Sequence, residues 1–403
     1  MTESAEAGVG TRVVRDTVGW DALRPDWDAL HADSPAASPP LKWEWLRRWW
    51  QVYGDHYGAP GGGLRLLTVW RASRLIGVLP LYLGLRGRLL PARRLGFLSS
   101  GEAEFEETCP DYMDLLHAPG EADVCLREAA AWLDAPGERW DELVLNDVSA
   151  DSALLTLPTH LRERTGEATV GPRGICPVAD LSGGFEAYLK RLSPKVRQHA
   201  RQYLRGAERA GLTFEVAAGA EEADAYFDQL VALHQARWTA AGRPGCFAAR
   251  RFTEFHRGLA RAWVPTGEAL LARLSAGERP VALLYGFAVR GKFDFYQSGI
   301  DLAAVEGVRS PGAAVQLLLM RHLAERGFTT FDFLRGNAQY KTTLSTGERP
   351  LASVRVERPN VRRALRRISG LARRVVRAGR AAVPGRAPRQ PQPQPQPQPA
   401  CEP

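Results

Sequence analysis

The sequence predicts an α/β protein built on a mixed sheet, made of two similar halves and closed by a basic tail. Three observations carry that expectation. The chain has 403 residues, 45% of them hydrophobic, which is enough to bury a large core and long for one domain. A run of hairpin, strand, x-Pro-Gly turn, helix and strand occurs twice. From residue 358 onward the composition changes to arginine, then to proline and glutamine.

Taken in order, LKWEWLRRWWQVYG (41–54) has the apolar spacing of a helix. Residues 66–82, LLTVWRASRLIGVLPLY, are two β-rich runs around a polar turn. The strand-like YMDLL (112–116), the turn HAPG, a helical stretch to about Leu133 and the strand-like DELVLNDV (141–148) follow. The halves are expected to meet near Pro172 to Pro177. Two helical stretches open the second half, FEAYLKRLSPKVRQHARQYLRGAERAG (185–211) and ADAYFDQLVALHQARWTAAG (223–242). Residues 270–287, LLARLSAGERPVALLYGF, repeat the hairpin with one extra residue expected in the turn. The strand FDFYQSGI (293–300), the turn RSPG (309–312), a helix to about Arg326 and FTTFDFLRG (328–336) complete the copy. The expected organisation is a first unit over 1–175, a second over 176–357 and a tail over 358–403.

The net charge of +8 sits in that tail. Residues 358–403 hold eleven arginines and one acid, 11 − 1 = +10, so residues 1–357 carry 8 − 10 = −2. A nearly neutral body has no polyanion footprint, and nucleic acid is not an expected partner. In VRRALRRISGLARRVVRAGR (361–380), Val361, Leu365, Ile368, Leu371 and Val375 form the apolar stripe of a basic helix. Such a helix would lie on an anionic membrane surface through residues 358–389; an idle linker is the alternative. The Pro-Gln repeat beyond it cannot build a core. Five scattered cysteines (Cys109, Cys125, Cys176, Cys246, Cys401) without a CxxC argue against a disulfide framework or a zinc site. No apolar run approaches the roughly 20 residues of a membrane span, and MTESAEAGVG lacks the features of a signal peptide. The expected place is the cytoplasm, with the tail on the inner membrane face.

An x-Pro-Gly at a helix start, directly after a strand, is suited to phosphate, because free backbone N–H groups and the helix dipole converge there. In the second half it reads Arg309-Ser310-Pro311-Gly312-Ala313-Ala314. This resembles the Q/R-x-x-G-x-G/A signature with which the GNAT acyltransferase superfamily cradles the pyrophosphate of an acyl-CoA. Arg367-x-x-Gly370-x-Ala372 fits too, but no strand precedes it. With YQSGID (296–301), LHQARWTAAGRPGCF (233–247) and FDFLRGNAQYK (331–341), the sequence resembles the acetyltransferase domain of the CelD-like GNAT branch. That branch is associated with polysaccharide biosynthesis and is similar to the Fem aminoacyl-transferases, which join two GNAT-like units. The resemblance extends over Gly183 to Val356 and is weaker over the first half.

The resemblance implies tandem GNAT-like units whose second sheet splays between the strand near Tyr296 and the strand near Asp332. Acyl-CoA, in the simplest case acetyl-CoA, enters the gap as co-substrate, with no metal. The implied reaction is N-acylation of a cell-envelope or polysaccharide precursor, the acceptor being a small-molecule or lipid-linked amino sugar. In the first half His117 replaces the arginine, and Glu121 and Asp123 follow Gly120, so that unit reads as a degenerate copy.

Cofactor contacts are expected from Arg309, Ser310, Gly312, Ala313 and Ala314. Tyr340 lies where many GNAT enzymes have the tyrosine that protonates the leaving thiolate, and Lys341 matches a lysine of the Fem group that meets phosphate or developing negative charge. Asp332, a carboxylate between apolar neighbours, is the candidate base; a structural pair with Arg335 is the alternative. Acceptor contacts are expected from Arg335, Arg237, Trp238, Tyr296, Gln297 and Arg197. Bland alternatives stand beside these: Tyr340 as packed core, Lys341 and Arg309 as surface residues, Arg197 with Arg201 and Arg205 as a solvated face, and His234 as a structural histidine. Trp43, Trp45, Trp49 and Trp50 read as core and cleft wall. Two other functions stay open, amino-acid transfer from aminoacyl-tRNA to a peptidoglycan precursor, which the neutral body opposes, and a non-catalytic scaffold for a polysaccharide synthase.

Overall fold

The computed structural model describes residues 8–359 apart from 88–90, 302, 304 and 337. The amphipathic helix and the Pro-Gln repeat expected in the tail lie outside them. The first half contains β1 (Val9–Val14), α1 (Thr17–Ala22), α2 (Arg24–Asp33), α3 (Trp43–Tyr57), β2 (Leu64–Arg71), β3 (Arg74–Arg86), β4 (Ala92–Phe97), β5 (Leu116–His117), α4 (Ala122–Asp134), β6 (Glu142–Ser149), α5 (Leu157–His160) and β7 (Glu167–Asp180). The second contains α6 (Phe185–Arg191), α7 (Pro194–Arg209), β8 (Thr213–Val216), α8 (Ala220–Ala240), α9 (Arg250–Trp263), β9 (Ala269–Ala276), β10 (Arg279–Val289), β11 (Lys292–Ile300), α10 (Pro311–Glu325), β12 (Thr330–Asp332), α11 (Gln339–Leu344) and β13 (Gly347–Glu357).

Both expected hairpins form. Each closes through two residues, Ala72-Ser73 and Gly277-Glu278, with the first at positive φ (53° and 59°), as the right-handed twist of paired strands favours. The turns are therefore equal in length, contrary to the extra residue expected in the second. The strand expected at 112–116 does not form either; Leu116 and His117 alone pair, with β3. Its place beside β6 is taken by β4, whose ARRLGF was not read as a strand. Arg94 stands opposite Glu142 on β6 and binds it at 2.8 Å, so the charges that hide the apolar pattern are neutralised across the ladder. The stretch 185–211 is two helices, because Ser193 caps α7 and Pro194 occupies its first turn.

The strands form one mixed sheet in the order β1-β2-β3-β4-β6-β13-β7-β12-β11-β10-β9-β8. The halves follow the same plan: β4 runs parallel to β6 after crossing through α4, and β11 runs parallel to β12 after crossing through α10. Their last strands are exchanged. β7 pairs with β12 of the second half, β13 pairs with β6 of the first, and β7 and β13 pair with each other at the centre. Residues 175 and 176 are thus neighbours within β7. Pro172 and Pro177 are tolerated in this central strand because β12 reaches only Val178–Asp180, which leaves the earlier residues as an edge on that side.

Two large cores hold the sheet, beside a small cluster of Tyr112, Cys176 and Leu351. Aromatic residues of both halves interlock in one: Trp45 of α3 packs edge-on against Phe255 of α9 and Phe287 of β10. The other lies under α6, α7 and α10, around Phe293, Phe295, Phe331 and Phe333.

Candidate active site

β11 and β12 pair only at Lys292–Asp294 and Thr330–Asp332. Beyond that point β11 continues to Ile300, while the other chain turns away through Leu334, at φ 56°, toward α11. The sheet therefore opens between Tyr296 and Asp332. α10 begins at the mouth of this opening. Ser310 caps it, its Oγ accepting from the Ala313 N–H at 3.4 Å, Pro311 fills the first turn, and Arg309 is exposed. Ala313 is half-buried and Ala314 buried. Gly312 is buried as well; a Cβ there would lie 2.5 Å from Ile300 Cδ1. Its first role is to let α10 close on β11.

At the closed end of the opening is a cavity of about 20 Å³ lined by Cys109, Asp111, Phe295, Tyr296, Leu334, Arg335 and Lys341. Lys341 is 1% exposed, with Nζ donating to the Arg335 carbonyl at 2.9 Å. It is not a surface residue. Arg335 donates its backbone N–H to Asp111 Oδ2 at 2.7 Å, and its Nε lies 3.5 Å from both Asp111 and Asp147. The expected alternative, a pair with Asp332, is not what forms. Tyr296 lines the cavity and donates its hydroxyl to the Thr108 carbonyl at 2.7 Å.

Asp332 is fully buried and does not line the cavity. Its Oδ2 accepts from the Tyr112 hydroxyl at 2.7 Å, its Oδ1 from the Leu334 N–H at 2.8 Å, and Lys292 Nζ lies 3.8 Å away. Lys292 is held 2.8 Å from Asp294 and 4.2 Å from the centre of the Tyr112 ring. Tyr340 belongs to the other face of the sheet, edge-on to Phe333 in the core beneath α10. Gln297 is buried, its amide donating to Cys246 Sγ at 3.4 Å. Arg237 and Trp238 near the end of α8, and Arg197 on α7, are not among the residues that line the cavity. Burial pushes His234 down to about 4, which fits a neutral structural imidazole.

The residue that sequence reasoning missed is Asp111. It reaches the second half's opening on a long loop, 98–111, that leaves β4. A stripe on α3 at four-residue spacing fastens this loop: Trp45 Nε1 donates to Ser99 Oγ at 2.9 Å, Trp49 Nε1 to Glu102 Oε1 at 2.5 Å, Tyr53 to the Glu106 carbonyl at 3.1 Å and Tyr57 to Glu106 Oε1 at 2.7 Å. Spacing of this kind was the available signal. Backbone strain marks the same place. Of seven non-glycine residues at positive φ among the described residues, Cys109, Tyr112, Asp147 and Leu334 surround Asp111 and Arg335, and strain concentrates where a site requires it. In the first half, the corresponding helix start is occupied by Glu121, bound to Arg71 at 2.8 Å.

Glu102 carries a stability prediction. Burial pushes it up to about 7, with Trp49 and Thr108 pulling the other way. A carboxyl raised in the folded state favours folding below its unfolded value, here 4.5, and that advantage is lost as pH rises through about 7. The difference is worth about 3 kcal/mol. Glu102→Gln should therefore raise the melting temperature at pH 8.5 and leave it nearly unchanged at pH 5; thermal melts giving the same shift at both would contradict this.

Among the described residues no helix is long and apolar enough to cross a membrane, and no group of three His, Cys, Asp or Glu is placed to hold a metal ion.

Residues 194–342, from α7 to α11, match the family described as Acetyltransferase (GNAT) domain. No curated protein matches the sequence. Among solved structures, FemX superposes with a TM-score of 0.53 at 13% identity, covering 81% of this chain and 95% of its own. A conserved protein of unknown function from Bacteroides thetaiotaomicron VPI-5482 superposes with a TM-score of 0.51 at 12% identity, covering 86% of this chain and 100% of its own. At such identities the likeness is one of fold. The protein has a GNAT-type acyltransferase fold, with a matched GNAT acetyltransferase domain in its second half.

Proposed function

We propose that the protein is an N-acyltransferase of the CelD-like kind, moving an acyl group from acyl-CoA, most simply acetyl-CoA, to an amino group of a polysaccharide or cell-envelope precursor. One observation carries this: the sheet opens between β11 and β12 with the start of α10 at the mouth and the buried Lys341 and half-buried Arg335 at the closed end. Arg309, Ser310 and the free N–H groups of α10 would hold the pyrophosphate. Lys341 and Arg335, both fixed by their own partners, set positive charge near the carbonyl oxygen on which charge develops. Tyr340, on the α10 face from which the cofactor enters, would protonate the departing thiolate. A cavity of about 20 Å³ has room for little more than one water, so Leu334 or the loop ending at Asp111 must shift to admit the thioester. Residence on an anionic membrane through residues 358–389 belongs to the same proposal, since a lipid-linked acceptor would be met there.

Calorimetry with coenzyme A tests the cofactor site. Arg309→Glu should weaken binding roughly 10-fold or more, as loss of a charge-assisted contact and gain of repulsion require, while His117→Ala in the first half should bind as the parent does. Arg309 is preferable to Gly312 for this purpose, because a side chain at Gly312 would strike Ile300. Equal affinity in the Arg309→Glu protein, or a parent that binds no coenzyme A, would overturn the assignment.

A further inference from the structure

We infer that Asp111, supplied by the first half, is the base that takes the proton from the acceptor amine in the second half's site; this rests on the acyl-transfer reading above. A base must lie within hydrogen-bond reach of the proton it removes. Asp111 is the carboxylate among the residues lining the cavity, and its Oδ1 has no hydrogen-bond partner among the described residues. Its other oxygen is anchored, accepting from the Arg335 N–H at 2.7 Å with Cys176 Sγ at 3.7 Å. One oxygen is fixed by a hydrogen bond; the other makes none and is held only by the Arg335 guanidinium, whose Nε lies 3.5 Å from it. Asp332 cannot offer the same, since both its oxygens are engaged and Tyr112 stands in front of it.

The charges around Asp111 suit that role. Burial raises it first, then Asp147 on β6, while Arg335 opposes them; the result is pushed up to about 7. Asp332 on β12 adds a smaller upward push. Glu107 and Cys109 share its loop, Arg173 on β7 binds Asp147 at 3.2 Å, and Lys341 lines the cavity opposite. A base poised near neutrality is what amine deprotonation requires at physiological pH.

The step balances. The neutral amine attacks the thioester carbonyl carbon, the C–N bond forms and the C–S bond breaks with its electron pair leaving on sulfur. The amine N–H proton passes to Asp111 Oδ1, and the thiolate takes a proton from Tyr340. Exchange with solvent then resets both side chains. The first half in this account does more than wall the cleft, because it carries a catalytic residue into its neighbour.

The test follows thiol release from acetyl-CoA against pH, with glucosamine and with hydroxylamine as probe acceptors. In the parent, turnover should rise as pH passes through Asp111's range. Asp111→Asn should lose roughly 100-fold in glucosamine turnover together with that rising limb, keep its coenzyme A affinity, and lose far less with hydroxylamine, which is neutral near pH 7 and strongly nucleophilic. Asp111→Glu should restore part of the limb. If Asp111→Asn keeps the rising limb, or if Asp332→Asn removes it, Asp111 is not the base. Coenzyme A affinity, measured separately, reports on the cofactor reading and keeps its failure distinct from this one.

Discussion

Replacing Arg335 with methionine is expected to cost about 3–5 kcal/mol of stability, because removing one partner of a buried ion pair strands the charge it leaves behind. Here Asp111 loses its ion-pair partner, while Asp147 keeps Arg173 at 3.2 Å. Arg335 Nε stands 3.5 Å from Asp111 and 3.5 Å from Asp147, whose side chains are 4% and 8% exposed. Methionine would keep much of the volume and none of the charge. The cost has a pH signature. Asp111 is already raised by burial and by Asp147, and without the guanidinium it rises further. A raised carboxyl loses stability as pH climbs through its folded value, so the deficit should be larger at pH 8 than at pH 5.5. Urea unfolding at the two values measures it, and an equal midpoint for variant and parent at pH 8 would mean that Arg335 does not neutralise this cluster.

Val354→Asp should do more damage and do it on both sides of the molecule. Val354 is fully buried in β13, opposite Leu145 of β6 on one side and Val170 of β7 on the other. A carboxylate placed there would sit in the apolar core among residues that include those of the first half, and the penalty for burying a charge in that state is expected to exceed about 4 kcal/mol. Since β13 joins the halves, amides in β2 and β3 should lose protection along with those in β9 and β10. Hydrogen exchange resolves the two sets. Undisturbed protection in the first half would show that it does not depend on the exchanged strand.

What could be read in the sequence was what is local. The hairpins, α4, α10 and β11 announce themselves by apolar spacing and by x-Pro-Gly turns, because those signals depend on residues a few positions apart. β4 did not, since its arginines are compensated only from a distance, Arg93 by Asp141 and Arg94 by Glu142. β7 and β13 hid behind Pro172, Pro177 and Pro350, and their pairing joins residues 347 − 178 = 169 to 357 − 167 = 190 positions apart. The site divides in the same way. Tyr296, Arg335 and Lys341 stand in short motifs and come together at the cavity. Asp111 is marked only by a partner 224 positions away, and Trp45 and Trp49, legible as core, reveal their donor role only once the loop they fasten is in place.

The exchanged strand also sets an order of events during synthesis. β6 is complete at Ser149, but the strand that covers its open edge ends at Glu357, about 200 residues later. At ~5–20 residues per second that interval is roughly 10–40 s, during which β6 presents an unpaired edge and β7 lacks β13. Open edges of this kind invite pairing with other chains. The nascent protein must therefore be shielded for most of its own translation, and a ribosome that stalls before residue 347 releases a chain in which neither half can complete its sheet.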